Sequence, residues 1–380
     1  MRIGFTTSNL SQPQAGMGDY IMAMTRALLA RDEPPELVLF VLEEDLPLFD
    51  FASRRAEVVS VAEEFRPVEK DIEWHRTQLP ELARQHRLDV LHVADHRRMP
   101  AERSVPLVTT VHDLSPFRAD CRYIWQRGFH ELAKARRLAR RQDVLIATSE
   151  STAHEVRKIL GLPGHRITVV YNGIDHERFV PGSAYAAKTE LASRFDLVAP
   201  FFVRVAPLAH PAENHVRLIE AFNRFKSQTK SEWQLVLAGG DGPGAELIHA
   251  AIQQSPYAED LRAIGGVDVA DLPLIYQAAD AFVFPSLLGE FDLAPIEAMA
   301  CGCPVISSLR GSLAEVVGDS SSLIDPGEVD DIAEKLAAMA GNLDLRQRWR
   351  EAGLTQAGKF DWRRTAEETL AVCERVVPPR

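Results

Sequence analysis

Two short stretches hold the residue types that could do chemistry. "TTVHD" ends on His112 and Asp113, and "PSLLGEFDLAPIEAMACGCPVISS", residues 285–308, places Glu290 and Glu297 on either side of an apolar run. An imidazole at the end of an apolar run can hydrogen-bond a substrate hydroxyl or steady a leaving group. A histidine satisfied by its own fold explains the same residues when they are taken alone. Asp292 stands where a phosphate-binding turn would take glycine, and it is a candidate N-cap for "LAPIEAMACG". Gly16 and Gly18, in "QAGMGDY", would let the backbone approach a phosphate or a sugar ahead of a helix. They lack the third glycine of a dinucleotide fingerprint, and a plain flexible turn reads the same way.

Metal chemistry has little to stand on. His92 and His96 are four apart but straddle the end of a strand-like run, and Cys301 and Cys303 have no second pair. No bound metal and no cofactor is expected.

The candidate residues lie at the ends of strand-like runs. "RIGFTT", "ELVLFVL", "AEVVSV", "DVLHVA", "PLVTTVHD", "DVLIATSE" and "ITVVYNG" alternate with helical patterns such as "GDYIMAMTRALLARD". After the turn-rich "YNGIDHERFVPGSAY" the alternation restarts with "PFFVRVAPL", "WQLVLAGG", "AFVFPS" and "PVISS". Strands alternating with helices predict α/β domains with mostly parallel, doubly wound sheets. The junction falls near residue 175, giving domains over 1–174 and 175–360, with one more amphipathic helix in the tail. In "STAHEVRKILG", Thr152 and Glu155 have capping-box spacing and Gly161 is a plausible stop. Ligands of open α/β sheets bind beyond the carboxyl ends of the strands, so the loops there are the places to look.

Composition narrows the classes. The chain has 380 residues, 46% hydrophobic and 26% charged, as in an ordinary globular protein of two domains. A formal charge of −11 argues against a nucleic-acid partner. Four cysteines are too few for a disulfide scaffold and fit a cytoplasmic setting, and "MRIGFTTSNL" is no secretory signal. Residues 118–141 concentrate eight Lys/Arg against two acids, with Tyr123, Trp125 and Phe129 interleaved. That segment is either a solvated helix face or a peripheral contact with anionic lipid.

Taken together, "GMGDY", "TTVHDL", "TSESTAHEV", "VVYNGID", "NHVRLIEAFNRF", "DLPLIYQAADAFVFPS" and "IEAMACGCPVISS" resemble the retaining glycosyltransferases of family 4. The resemblance spans essentially the whole chain. It implies the GT-B architecture: two Rossmann-like domains facing across a cleft, with the tail 361–380 packing back on the first. It implies sugar transfer from a nucleotide-sugar donor on the C-terminal domain to a saccharide or lipid-linked acceptor, commonly without metal. By that resemblance His112 and Glu290 are the catalytic candidates, His112 meeting the transferred sugar. Donor-binding candidates are Pro207, Glu213, Gly239, Val267, Gly289, Glu290, Phe291, Asp292, Leu293 and Glu297, the last at the ribose. Acceptor-side candidates are Gly16, Gly18, Asp113, Ser149 and Asn172.

The chain departs from the family where the leaving diphosphate is gripped. The family's Arg is Pro207, its Lys is Glu213, its first glutamate is Gly289 and its second glycine is Asp292. Charges about 4 Å apart interact by roughly 4 kcal/mol at an effective dielectric near 20, so these changes predict a pocket that repels a pyrophosphate. Arg204, Lys226 and Arg310 are the cations placed to compensate. A degenerate transferase acting as a partner protein, or a transferase with a differently activated donor, are the competing expectations.

Overall fold

The computed structural model describes residues 1–7, 10, 16–114, 117, 128–289 and 291–378. Glu290 and residues 118–127 of the basic segment therefore lie outside the described residues. The chain forms two compact units, Met1–Gly173 with Asp361–Arg380, and Ile174–Phe360.

In the first unit, β1 (Arg2–Thr6), β2 (Glu36–Leu42), β3 (Ala56–Val61), β4 (Val90–Val93), β5 (Leu107–Val111), β6 (Val144–Ala147) and β7 (Ile167–Val169) form one sheet. Its order is β3-β2-β1-β4-β5-β6-β7, with all neighbours parallel. Central strands covered on both faces must be apolar throughout, and β4 and β5 are buried at every position. The tail helix Trp362–Val376 belongs to this unit because its apolar stripe has a partner here. Trp362, Ala366, Leu370 and Cys373 join Tyr20, Ile21 and Met24 in one core, and Thr365 Oγ1 donates to the Tyr171 carbonyl at 2.8 Å.

The second unit contains β8 (Phe201–Val205), β9 (Gln234–Ala238), β10 (Leu261–Gly265), β11 (Ala281–Phe284), β12 (Val305–Ser308) and β13 (Ser322–Ile324). Its order is β10-β9-β8-β11-β12-β13. In both sheets the chain runs outward to one edge, then returns to the middle and proceeds to the other. The reversal falls between β1 and β4 in the first sheet and between β8 and β11 in the second. Loops diverge at such switch points and leave a crevice beyond the strand ends.

Local corrections have simple causes. Ser149, not Thr152, caps the helix Glu150–Glu155, because its Oγ accepts the Thr152 amide at 2.9 Å. Gly161 does end that helical run, at φ 71°. Among the described residues no helix is long and apolar enough to cross a membrane.

Candidate active site

The crevice of the second unit is built by the loops after β8 and β11, and one side chain organises it. Arg204 lies near the end of β8 and is wholly buried, its guanidinium 4.0 Å from the centre of the Phe284 ring. Nη2 is paired with the Glu213 carboxylate, and Asp292 adds its field from the β11 loop. Burial pulls Arg204 below its ordinary range, against the pull of Glu213 and Asp292. Burial likewise pushes Glu213 and Asp292 above the usual carboxylate range, although Arg204 opposes this in both. One cation thus holds two desolvated carboxyl groups at the switch point. Asn214 fastens the same loops, its Nδ2 donating to the Pro285 and Pro326 carbonyls at 2.9 and 2.8 Å.

The other two compensating candidates are placed differently. Lys226 Nζ pairs with Asp260 at 2.7 Å, just ahead of β10, and so serves the amino ends of the strands. Arg310 follows β12 at the correct end and pairs with Asp325 at 3.3 Å. Pro207 sits on an exposed part of the β8 loop. Of the three compensating candidates, Arg204 is the one that meets the Glu213 carboxylate. Sequence reasoning underrated this arginine because it lies inside the apolar run "FFVRV".

Asp292 is not the N-cap expected of it: Leu293 holds that position without a side-chain cap, and Asp292 Oδ1, one residue earlier, accepts the Ala294 amide at 2.8 Å. Leu293 contributes its carbonyl to the Glu297 amide at 2.8 Å, opening the helix Ala294–Ala300. Glu297 then accepts from the buried Tyr276 hydroxyl at 3.3 Å. Phe291 is half-buried with its ring 6.3 Å from that of Phe360. Gly239 follows β9 and presses on the Ala206 carbonyl, leaving no room for a Cβ, while Val267 is half-buried in the loop after β10.

Gly289 has φ 65°, and a Cβ there would lie 2.7 Å from the Arg310 carbonyl carbon and oxygen. Its own carbonyl accepts both the amide and the hydroxyl of Ser312 at 2.9 Å. The position is reserved for backbone contact and has no space for a glutamate.

In the first unit, the crevice lies beyond β1, β4 and β5. His112 follows β5, and its Nε2 donates to the Ala94 carbonyl at 3.0 Å, which leaves Nδ1 as the acceptor of a neutral ring. The Tyr20 ring meets the imidazole edge-on at 4.5 Å. Tyr20 hydroxyl and His92 Nε2 both bond Thr110 Oγ1, at 3.1 and 2.9 Å. Beside them Asp95 is buried and binds the Arg97 amide and Arg98 Nη1. Burial alone would raise Asp95, but His96, Arg98 and Arg97 outweigh it and hold it to about 2. Asp113 lies 3.5 Å from Arg97. Asp95, Arg97 and Tyr20 were not singled out from the sequence; the strand-end position of "HVADHRR" was the available signal for the first two.

Gly16, at φ 59°, opens the helix Met17–Leu29, and Gly18 is buried in its first turn. Ser149 spends its hydroxyl on its helix cap, and Asn172 is buried beyond β7. Among the described residues no group of three His, Cys, Asp or Glu gathers as a metal site.

Comparison with known proteins extends these observations along the chain. Residues 195–356 match the family "Glycosyl transferases group 1", and residues 15–178 match "Glycosyltransferase Family 4". The chain is a family-4 glycosyltransferase of the GT-B fold. This glycosyltransferase is 26% identical to the O-antigen chain mannosyltransferase B of Escherichia coli, across 97% of this chain and 98% of that relative. It is 32% identical to a D-inositol 3-phosphate glycosyltransferase of Kribbella flavida, a match covering 60% of this chain and only 55% of the relative. The crystal structure of Anabaena HepE in complex with UDP and glucose superposes with a TM-score of 0.77 at 18% identity, covering 99% and 100% of the two chains.

Three desolvated imidazoles, with His92 and His215 buried and His112 half-buried, are expected to make the enzyme's stability acid-sensitive. Burial holds His92, His112 and His215 to about 3, about 4 and about 3. Each stays neutral in the folded chain while the unfolded chain takes up a proton near about pH 6.5. Their contribution is therefore complete above that pH and is lost as pH falls towards their folded values. The expected loss approaches about 1.4 kcal/mol per pH unit for each below about pH 6, read from urea midpoints between about pH 6 and about pH 5. Midpoints that stay level across this window would contradict the desolvation of three neutral rings.

Proposed function

We propose that this enzyme transfers a hexosyl group, mannosyl in the first instance, from a GDP- or UDP-sugar to a saccharide or lipid-linked acceptor in cell-surface polysaccharide assembly. The near-complete match with an O-antigen mannosyltransferase supports the substrate class. The observation that carries donor binding is Arg204, a buried cation at the switch point of the second sheet.

The donor's pyrophosphate takes the place of the Glu213 carboxylate on the Arg204 guanidinium. A pyrophosphate brings more charge than a carboxylate and accepts in the paired geometry a guanidinium offers. Displacing an existing ion pair makes this grip weaker than an open clamp would be. The transition state builds charge on the leaving oxygen, and a cation fixed in a dry site stabilises that charge most. Glu297 is assigned to the ribose and Glu290 to the reacting sugar, with His112 accepting a sugar hydroxyl through Nδ1. Transfer proceeds with retention, and residues 118–141 meet a lipid-bearing surface peripherally.

Incubation with GDP-mannose, UDP-glucose and related donors, with saccharide and lipid-linked acceptors, is expected to give one dominant donor and a product of retained anomeric configuration. Neither transfer nor donor hydrolysis across the panel, with co-purification of an active transferase, would favour a partner protein instead. Removing the imidazole as His112→Ala is expected to lower kcat by about a hundredfold when rates are read well below the variant's melting temperature, which the lost Ala94 bond and Tyr20 packing also lower. An unchanged kcat would exclude His112 from the reacting sugar.

A further inference from the structure

A second charged site lies at the opposite end of the first sheet. A cavity of about 350 Å³ is lined by Glu102, Arg103, Arg140, Arg141, Asp143 and Arg166, with Ala101 and Gln142 completing it. These residues immediately precede β5, β6 and β7, which are neighbours in the sheet. His112 follows β5, so the five-residue strand separates the cavity from the candidate active site by about 17 Å.

Four guanidinium groups here face two carboxylates, in a chain whose overall balance is strongly acidic. The carboxylates are already engaged. Asp143 accepts from Arg103 at 2.6 Å and from the Leu107 amide at 2.9 Å, and Glu102 lies 3.6 Å from Arg84 outside the cavity. Arg166 is held in place by the Arg140, Gln142 and Asp143 carbonyls through Nε and Nη2, which leaves Nη1 uncommitted. Capping carbonyls accounts for Arg166 and pairing accounts for Arg103. Neither accounts for Arg140 and Arg141, which are exposed at the cavity and have no ion-pair partner among the described residues. A pre-fixed guanidinium flanked by two free ones is suited to the tetrahedral oxyanion of a phosphate ester.

We propose that this cavity binds a phosphate ester, as a site separate from the sugar-donor crevice. The same chemistry is offered by a phospholipid headgroup and by a free phosphorylated metabolite. Arg140 and Arg141 also end the segment 118–141, so a lipid outcome here would be that same peripheral contact, whereas a free-metabolite outcome would be independent of it; neither depends on which sugar the enzyme transfers.

The test uses the full chain and the variant Arg140→Gln/Arg141→Gln, whose substitutions are exposed and leave the core untouched. Inorganic phosphate is titrated by calorimetry, and vesicles of phosphatidylglycerol or phosphatidylcholine are tested by co-sedimentation. Saturable phosphate binding that weakens at least about tenfold in the variant, with transfer to a soluble acceptor unchanged, is the expected result. Binding to phosphatidylglycerol but not phosphatidylcholine vesicles, lost in the variant, identifies a lipid headgroup. Phosphate binding without vesicle binding identifies a free metabolite. Absence of binding to every probe, or binding of equal strength in the variant, overturns the proposal.

Discussion

Arg204→Met is expected to lower both stability and turnover, and Arg204→Met/Glu213→Gln to recover only the first. Arg204 is wholly buried, and its loss leaves the Glu213 and Asp292 carboxyl groups without their cation. Breaking a buried pair from one side costs about 3–5 kcal/mol, and Glu213 retains some solvent, so the lower end applies. Removing both charges together relieves most of that penalty, because methionine and glutamine fill similar space without a stranded ion. Asp292 still holds the Ala294 amide in the double variant. Turnover is expected to fall at least about a hundredfold in both, since neither can neutralise the departing diphosphate. Urea midpoints and initial rates on the same preparations separate the two effects. A double variant with full activity would make Arg204 a packing residue.

Gly289→Glu is expected to damage the enzyme although it restores the residue the family carries there. The position combines φ 65° with backbone atoms of Arg310 at 2.7 Å from any Cβ. Left-handed backbone alone costs about 1–2 kcal/mol for a residue with a side chain. Displacing the Arg310 turn would also disturb the bonds from Ser312 to the Gly289 carbonyl. A total loss of about 3 kcal/mol or more is expected, enough to lower the melting temperature by about 10 °C. Glu213→Lys is expected to aggravate this by setting a second cation against Arg204. The triple change Pro207→Arg/Glu213→Lys/Gly289→Glu is thus expected to yield less active, less stable protein. A triple variant that melts as the parent does and turns over faster would show that Gly289 is free to accept a side chain.

These two expectations mark the boundary of what was legible in the sequence. The buried strands announced themselves because a strand covered on both faces must be apolar: β2 is read to the residue from "ELVLFVL". The strands that escaped, "LRAIG" and "SLI", are β10 and β13, the two edges of the second sheet. Paired on one side and half-solvated, these two edges are short or carry charge instead of a continuous run, whereas the first sheet's edges β3 and β7 keep β-branched runs and were legible. The strand-end loops were legible as positions, since βα alternation implies parallel strands whose carboxyl ends share one side; which of them flank the switch point was not. What each residue there does was not. Arg204 is a charged residue in a strand run, and its partner Glu213 arrives by way of a loop whose path the sequence does not specify. Gly289 read as a lost glutamate because the contact that claims it comes from Arg310, twenty-one positions on.

Calorimetric titration of GDP and UDP into the native enzyme and into Arg204→Met/Glu213→Gln addresses the central claim most directly. Binding of one nucleoside diphosphate at a Kd on the order of 10 to 100 micromolar, abolished in the double variant, is the predicted result. Equal binding by both proteins, or heatless titrations of the native enzyme with either nucleotide, would contradict a donor site built on Arg204.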